Sequence, residues 1–93
     1  MIVGVLRVRL ILREAVSLKD KRQVVKGIKD RVRNRFNVSI AEIGAQDARQ
    51  RAELGLAAVS TERRHAEGLL QDALSHIRCA PGAELASHDI EFF

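Results

Sequence analysis

Residues 37–60, NVSIAEIGAQDARQRAELGLAAVS, read as two short strands joined by a turn. The first, 37–44, is rich in β-branched residues, and Gly44 to Asp47 supply the small and polar residues of a turn. Residues 49–60 return as a second strand. Ala52, Leu54, Leu56 and Ala58 fall on one face, with Arg51, Glu53, Ala57 and Val59 on the other.

On each side of this hairpin lies a helix, and beyond each helix another strand. Upstream, residues 2–12 alternate: Ile2, Gly4, Leu6, Val8, Leu10 and Leu12 share a wholly apolar face, opposite Val3, Val5, Arg7, Arg9 and Ile11. A helix starts at Ser17, where Ser17 and Asp20 have the spacing of a capping box. Leu18, Val25, Ile28, Val32 and Phe36 recur as its buried stripe, and Asn37 is expected to close it. Downstream, Ser60 or Thr61 is expected to cap a second helix that runs to about Arg78, with Ala66, Leu69, Leu70, Ala73, Leu74 and Ile77 inward. Pro81-Gly82 breaks the chain, and residues 83–93 form the last strand. The order β-α-β-β-α-β predicts an α+β fold: a ferredoxin-like sandwich with a four-stranded antiparallel sheet and both helices on one face. Ninety-three residues make this a single domain, 1–93.

Composition narrows the function. At 46% hydrophobic and 30% charged the chain is globular, and Arg7 and Arg9 interrupt its apolar start, which argues against a leader peptide and a membrane span. Cys79 is the lone cysteine and has no internal partner, which points to a reducing cytoplasm. No cofactor motif is present. His76 and Cys79 cannot form a closed metal site by themselves, and the histidines are expected at the surface with the thiol half-buried. The loop after the first strand, REAVS, contains no glycine, so it lacks the phosphate cradle that acylphosphatases build on this topology. No nucleophile–base pair stands out, and a non-enzymatic role is expected.

The net charge of +4 is unevenly placed. Residues 17–37 hold eight Lys or Arg against Asp20 and Asp30, which makes +6 there and −2 elsewhere. Lys19, Arg22, Lys26, Lys29 and Arg33 fall within about an 80° arc roughly 21 Å long. Such a stripe suits the phosphates of structured RNA, ribosomal RNA included, with Asp20 and Asp30 expected elsewhere on the helix. The bland reading is a solvated face whose cations pair with Glu67 or Asp72 of the second helix. Base stacking on the sheet is not expected, because the aromatics are Phe36, Phe92 and Phe93 and none lies on the two central strands. The open sheet face, with Val3, Val5, Arg7, Arg9, Arg51 and Glu53, is the expected homodimer interface, where arginines of one copy would meet glutamates of the other. The alternative function class is such an oligomeric module, or a small-molecule regulatory domain of the ACT type, with no nucleic-acid role. Gly27, in mid-helix and nearly opposite the buried stripe, has no evident reason.

The motifs SLKDKRQVVK, RNRFNVSIAE and QDARQRAELG resemble the YlxP-like family of small bacterial proteins, a domain of unknown function. The resemblance covers nearly the whole chain. It implies a ferredoxin-like fold, a cytoplasmic bacterial protein and no assigned catalysis. Genes of that family often lie beside those for ribosome-binding factor A and translation initiation, which implies a ribosome-linked role. The matching positions are Ser17, Lys19, Lys21, Arg22, Arg35, Phe36, Asn37, Glu42, Asp47, Gln50 and Gly55, and the family assigns none of them a role. Arg49 stands where the family usually has an aromatic residue.

Overall fold

The computed structural model describes all 93 residues. Its elements are β1 (Ile2–Ile11), α1 (Leu18–Arg35), β2 (Ser39–Gly44), β3 (Arg51–Ser60), α2 (Arg63–Arg78) and β4 (Glu84–Phe92). The sheet order is β2-β3-β1-β4, and every neighbouring pair is antiparallel, as two split βαβ units require. α1 lies against β2, and α2 lies across β1 and β3. Neither helix is long and apolar enough to cross a membrane.

The alternation along β1 and β3 directs Leu6, Val8, Leu10, Ala52, Leu54, Leu56 and Ala58 beneath the helices, all essentially without solvent contact. Gly4 belongs to the same row. A Cβ there would lie 2.9 Å from Leu70 Cδ1 and 3.2 Å from the Phe92 ring, so glycine is what allows α2 to settle onto β1. From α2, Ala66, Leu70, Ala73, Leu74 and Ile77 complete the core, and Leu69 is half-buried at its margin.

Three local expectations are corrected. Asn37 does not cap α1: Phe36 closes the helix in an extended conformation, its N–H still donating to Val32 O. Neither Ser60 nor Thr61 is the N-cap of α2. Glu62 holds that place without a side-chain cap bond, and the Ser60 hydroxyl instead accepts from the Glu62 N–H. In α1 the buried row is Lys21, Val25, Ile28 and Val32, while Leu18 and Phe36 are only half-buried. A lysine therefore fills a core position.

Candidate nucleic-acid interface

The α1 N-terminus is fixed by two reciprocal bonds. The Ser17 hydroxyl accepts from the Asp20 N–H at 3.1 Å, and the Asp20 carboxylate accepts from the Val16 N–H at 3.1 Å. This is the expected capping box, shifted back by one residue on its return arm.

From that start the helix presents Lys19, Arg22, Lys26, Lys29 and Arg33 along the flank that borders β2. Arg22, Lys26, Lys29 and Arg33 line a groove of about 360 Å³ with Val25, Asp30 and Glu42. Asp30 does not lie elsewhere, as the sequence reading held. Four residues after Lys26 it sits on the same flank, and its carboxylate pairs with Lys26 Nζ at 2.7 Å and lies 3.8 Å from Arg33 Nη1. The hydrogen bond from Lys26 holds the Asp30 carboxyl below its ordinary range against a smaller opposing effect of burial, with the charges of Lys26, Arg33 and Lys29 adding to it. Arg33 is further engaged by donating to Ile40 O at 3.0 Å, which ties α1 to β2.

Lys19, Arg22 and Lys29 form no ion pair. Glu67 and Asp72, the acids of α2 expected to neutralise the stripe, reach none of its cations. Arg31 and Arg35 lie on the other flank of α1, toward α2, where their charges act on His76.

Lys21 has a different role. Its side chain is 2% exposed, and Nζ donates to Ala45 O, lies 3.4 Å from Gln46 O, and sits 3.0 Å from Glu42 Oε2. The charge contact with Glu42 is off the hydrogen-bonding direction, so Oε2 is shielded from water without an aligned donor. Ala45 is the one non-glycine residue with positive φ, at 56°, and the ammonium holds its carbonyl in that turn. Gln50 fastens the neighbouring loop by donating to Arg13 O at 3.1 Å and Ala15 O at 3.4 Å, and Arg49 donates to Val16 O. Lys21, Glu42 and Gln50 thus pin the β2–β3 turn and the β1–α1 loop to the start of the basic helix. Asp47 is exposed, and its carboxylate makes no hydrogen bond or ion pair in the chain. Sequence reading missed Lys21 as a core residue although its spacing to Val25, Ile28 and Val32 was visible.

The opposite side of the sheet is charged but balanced. Arg7 Nη1 meets Glu91 Oε1 at 2.7 Å and Asp89 Oδ1 at 3.2 Å, Arg9 Nη2 meets Asp89 Oδ2 at 2.9 Å, and Arg13 Nε meets Glu84 Oε2 at 2.8 Å. Arg7 and Arg9 are thus matched within the chain by β4 and need no acid from another copy. The signal lay in β4, where Asp89 and Glu91 alternate with Ile90 and Phe92 and so share the open face. Arg51 and Glu53 have no ion-pair partner, and Val3 and Val5 are half-buried.

No three His, Cys, Asp or Glu side chains are grouped so as to hold a metal ion. Cys79 is exposed rather than half-buried. His76, expected at the surface, is half-buried: its ring stands edge-on to Phe36 at 5.9 Å, and Nε2 has neither solvent nor a partner. Burial lowers its pKa below 6.5, and the positive charges of Arg35 and Arg31 add to that shift.

A family described as "Protein of unknown function (DUF503)" matches residues 3–90. The "Uncharacterized protein YlxP" of Bacillus subtilis (strain 168) is 45% identical over 91 residues, which cover 98% of this chain and 99% of that protein.

Proposed function

We propose, for a chain that belongs to the DUF503 family of proteins of unknown function, that α1 is a docking surface for structured RNA and that the protein acts as a non-enzymatic accessory factor. The observation that carries this reading is that Lys19, Arg22 and Lys29 form no ion pair within the chain, although Asp30 and Glu42 share the groove with Arg22 and Lys29. The stripe lies on the flank that borders β2, away from the acids of α2, so none of them neutralises it. The capping box and the Lys21 lock hold the start of the stripe rigid, so few degrees of freedom are lost when phosphates dock. Contacts of this kind neutralise phosphate charge and read backbone shape, not base identity. A ribosomal particle is one source of such RNA, and a cytoplasmic setting follows from it.

The test is a salt titration of binding to a labelled RNA hairpin and to isolated ribosomal RNA. Three released counter-ions give a log–log slope of roughly −3. Arg22→Glu/Lys29→Glu is expected to weaken binding at least about tenfold and to flatten the slope by about 2. Binding absent at low salt, or indifferent to the double change, overturns the proposal.

A small-molecule regulatory module draws less support. The shallow depression on the open sheet, about 370 Å³, has Arg7 as its one charged lining residue, and Arg7 is already bound to Asp89 and Glu91. Ser39 is the one other polar side chain in that lining, too little to orient a charged ligand.

A further inference from the structure

The open sheet face has a charge balance unlike the rest of the molecule. Arg7, Arg9, Arg13 and Arg51 are matched there by Glu53, Glu84, Asp89 and Glu91, four against four. The face is neutral, so the whole +4 of the chain lies elsewhere. A polyanion gains nothing on this face, and a highly charged protein gains little. A second copy of the same face meets no net repulsion.

Its surface relief is also self-matching. β2 carries an extra residue relative to β3 between Glu42 and Gly44, and this bulge sends Ile43 out across the open face. Ile43 lies over Gly55, whose missing side chain leaves room for it, and remains 49% exposed. Beside that ridge is the depression lined by Val5, Ala41 and Ala57. Val59, 60% exposed, extends the apolar area toward Val3. A ridge next to a hollow is what a two-fold axis needs, since each copy offers its ridge to the other's hollow. At the far end of β3, Arg51 and Glu53 stand two residues apart on this face, the two charges there without an intrachain ion pair.

We propose that the open sheet face is a self-complementary interface, closed by a second copy of this chain stacked sheet to sheet about a two-fold axis parallel to β3. Apolar end lies on apolar end, Ile43 of each copy enters the hollow beside Val5 and Ala57 of the other, and at the far end Arg51 of each reaches diagonally, two residues along the strand, to Glu53 of the other. Overlap of β1, β2 and β3 projects to roughly 400 Å² per copy, from strand spacing and rise. That places the association among weak ones and sets the protein concentrations needed to see it. In the dimer the helices lie outward, so two α1 stripes face opposite directions. The inference does not depend on the RNA reading.

Sedimentation equilibrium from about 5 to about 500 µM tests it, in the range expected of an interface this small. The wild type is expected to rise from 10.4 kDa toward twice that mass. Ile43→Glu is expected to weaken association at least about tenfold while the thermal melt shows a folded protein; Ala41→Glu serves if that variant fails to fold. Arg51→Glu and Glu53→Arg should each weaken it, and the two together should restore it, a rescue that a merely structural role would not produce. A wild type that stays monomeric throughout, association untouched by Ile43→Glu, or a charge swap without rescue each overturns the proposal.

Discussion

The α1 flank and the open sheet face both carry cations at regular spacing, yet only the first leaves them unbalanced. Arg7 and Arg9 have acids of β4 within 3.2 Å, whereas Lys19, Arg22 and Lys29 have none. The cause is position in the sandwich. A strand has a neighbour on the same face about 5 Å away, so a cation on β1 finds whatever β4 places opposite it. A helix flank at the margin of the layer, beside the edge strand β2, meets only the Ile40 carbonyl and Glu42 of that strand beyond its own turns. The number of cations is similar in the two regions, but their availability is not, and availability governs binding.

The comparison breaks most sharply at Lys21, an α1 cation that belongs to neither class. Lys21→Ala is expected to cost about 3–5 kcal/mol, because it leaves the Glu42 carboxylate and the Ala45 carbonyl partly buried without the ammonium that faces them. Urea unfolding measures it, and a loss below about 1 kcal/mol would show that the turn does not depend on the lysine. Lys21→Ala/Glu42→Ala should recover part of the loss, since the unpaired carboxylate goes too.

Gly4→Ala ranks next, at about 1–3 kcal/mol, from overpacking against Leu70 and Phe92. It tests the neutral side of the comparison, because lifting α2 tilts β1 beneath it and strains the register that brings Arg7 and Arg9 to β4. An alanine tolerated without loss would mean that Leu70 simply rotates away.

Smaller is the response of His76 to acid. Its folded pKa lies below the 6.5 of the unfolded chain, so the unfolded state takes up the proton first. The resulting stability is fully present above about pH 6.5 and is lost as pH falls from there toward the folded value. His76→Phe should flatten the stability profile between about pH 7 and pH 5, within which an unperturbed histidine titrates. An unchanged profile would place the titrating group elsewhere. Because Arg35 and Arg31 help to depress the pKa, adding salt should reduce the effect, which distinguishes their charge from simple burial.

Much of this was legible before any coordinates. The strand and helix order, the alternation in β1 and β3, and the inward row of α2 all follow from periodicity, and the structure agrees with them to within a residue or two at the ends. What escaped the sequence depended on partners distant along the chain. Lys21 matches the core spacing, but its residue type argued for the surface, and only the carbonyls of the 45–46 turn make its burial tolerable. Asp30 was misplaced by treating its charge apart from its angle, although four residues from Lys26 is one turn. The pairing of Arg7 and Arg9 needed the β1–β4 register, which neither strand contains alone. Asn37 looked like a helix end by composition, while Phe36, drawn toward His76 of α2, turned the chain into extended backbone first.

The last test is the one in which stability should hardly move. Arg22→Glu/Lys29→Glu alters two exposed or half-exposed side chains that make no ion pair, so urea unfolding is expected to shift by no more than about 0.5 kcal/mol. A small gain is the more natural sign, because a helix segment of +6 falls to +2 and its self-repulsion falls with it. Arg7→Glu on the sheet face is the matched control: it places a third acid beside Asp89 and Glu91 and should lower stability measurably while leaving RNA affinity nearly unchanged. If the helix change instead destabilised the fold as much as the sheet change, the α1 cations would be structural after all. The distinction between balanced and unbalanced charge would then have to be drawn somewhere else in the molecule.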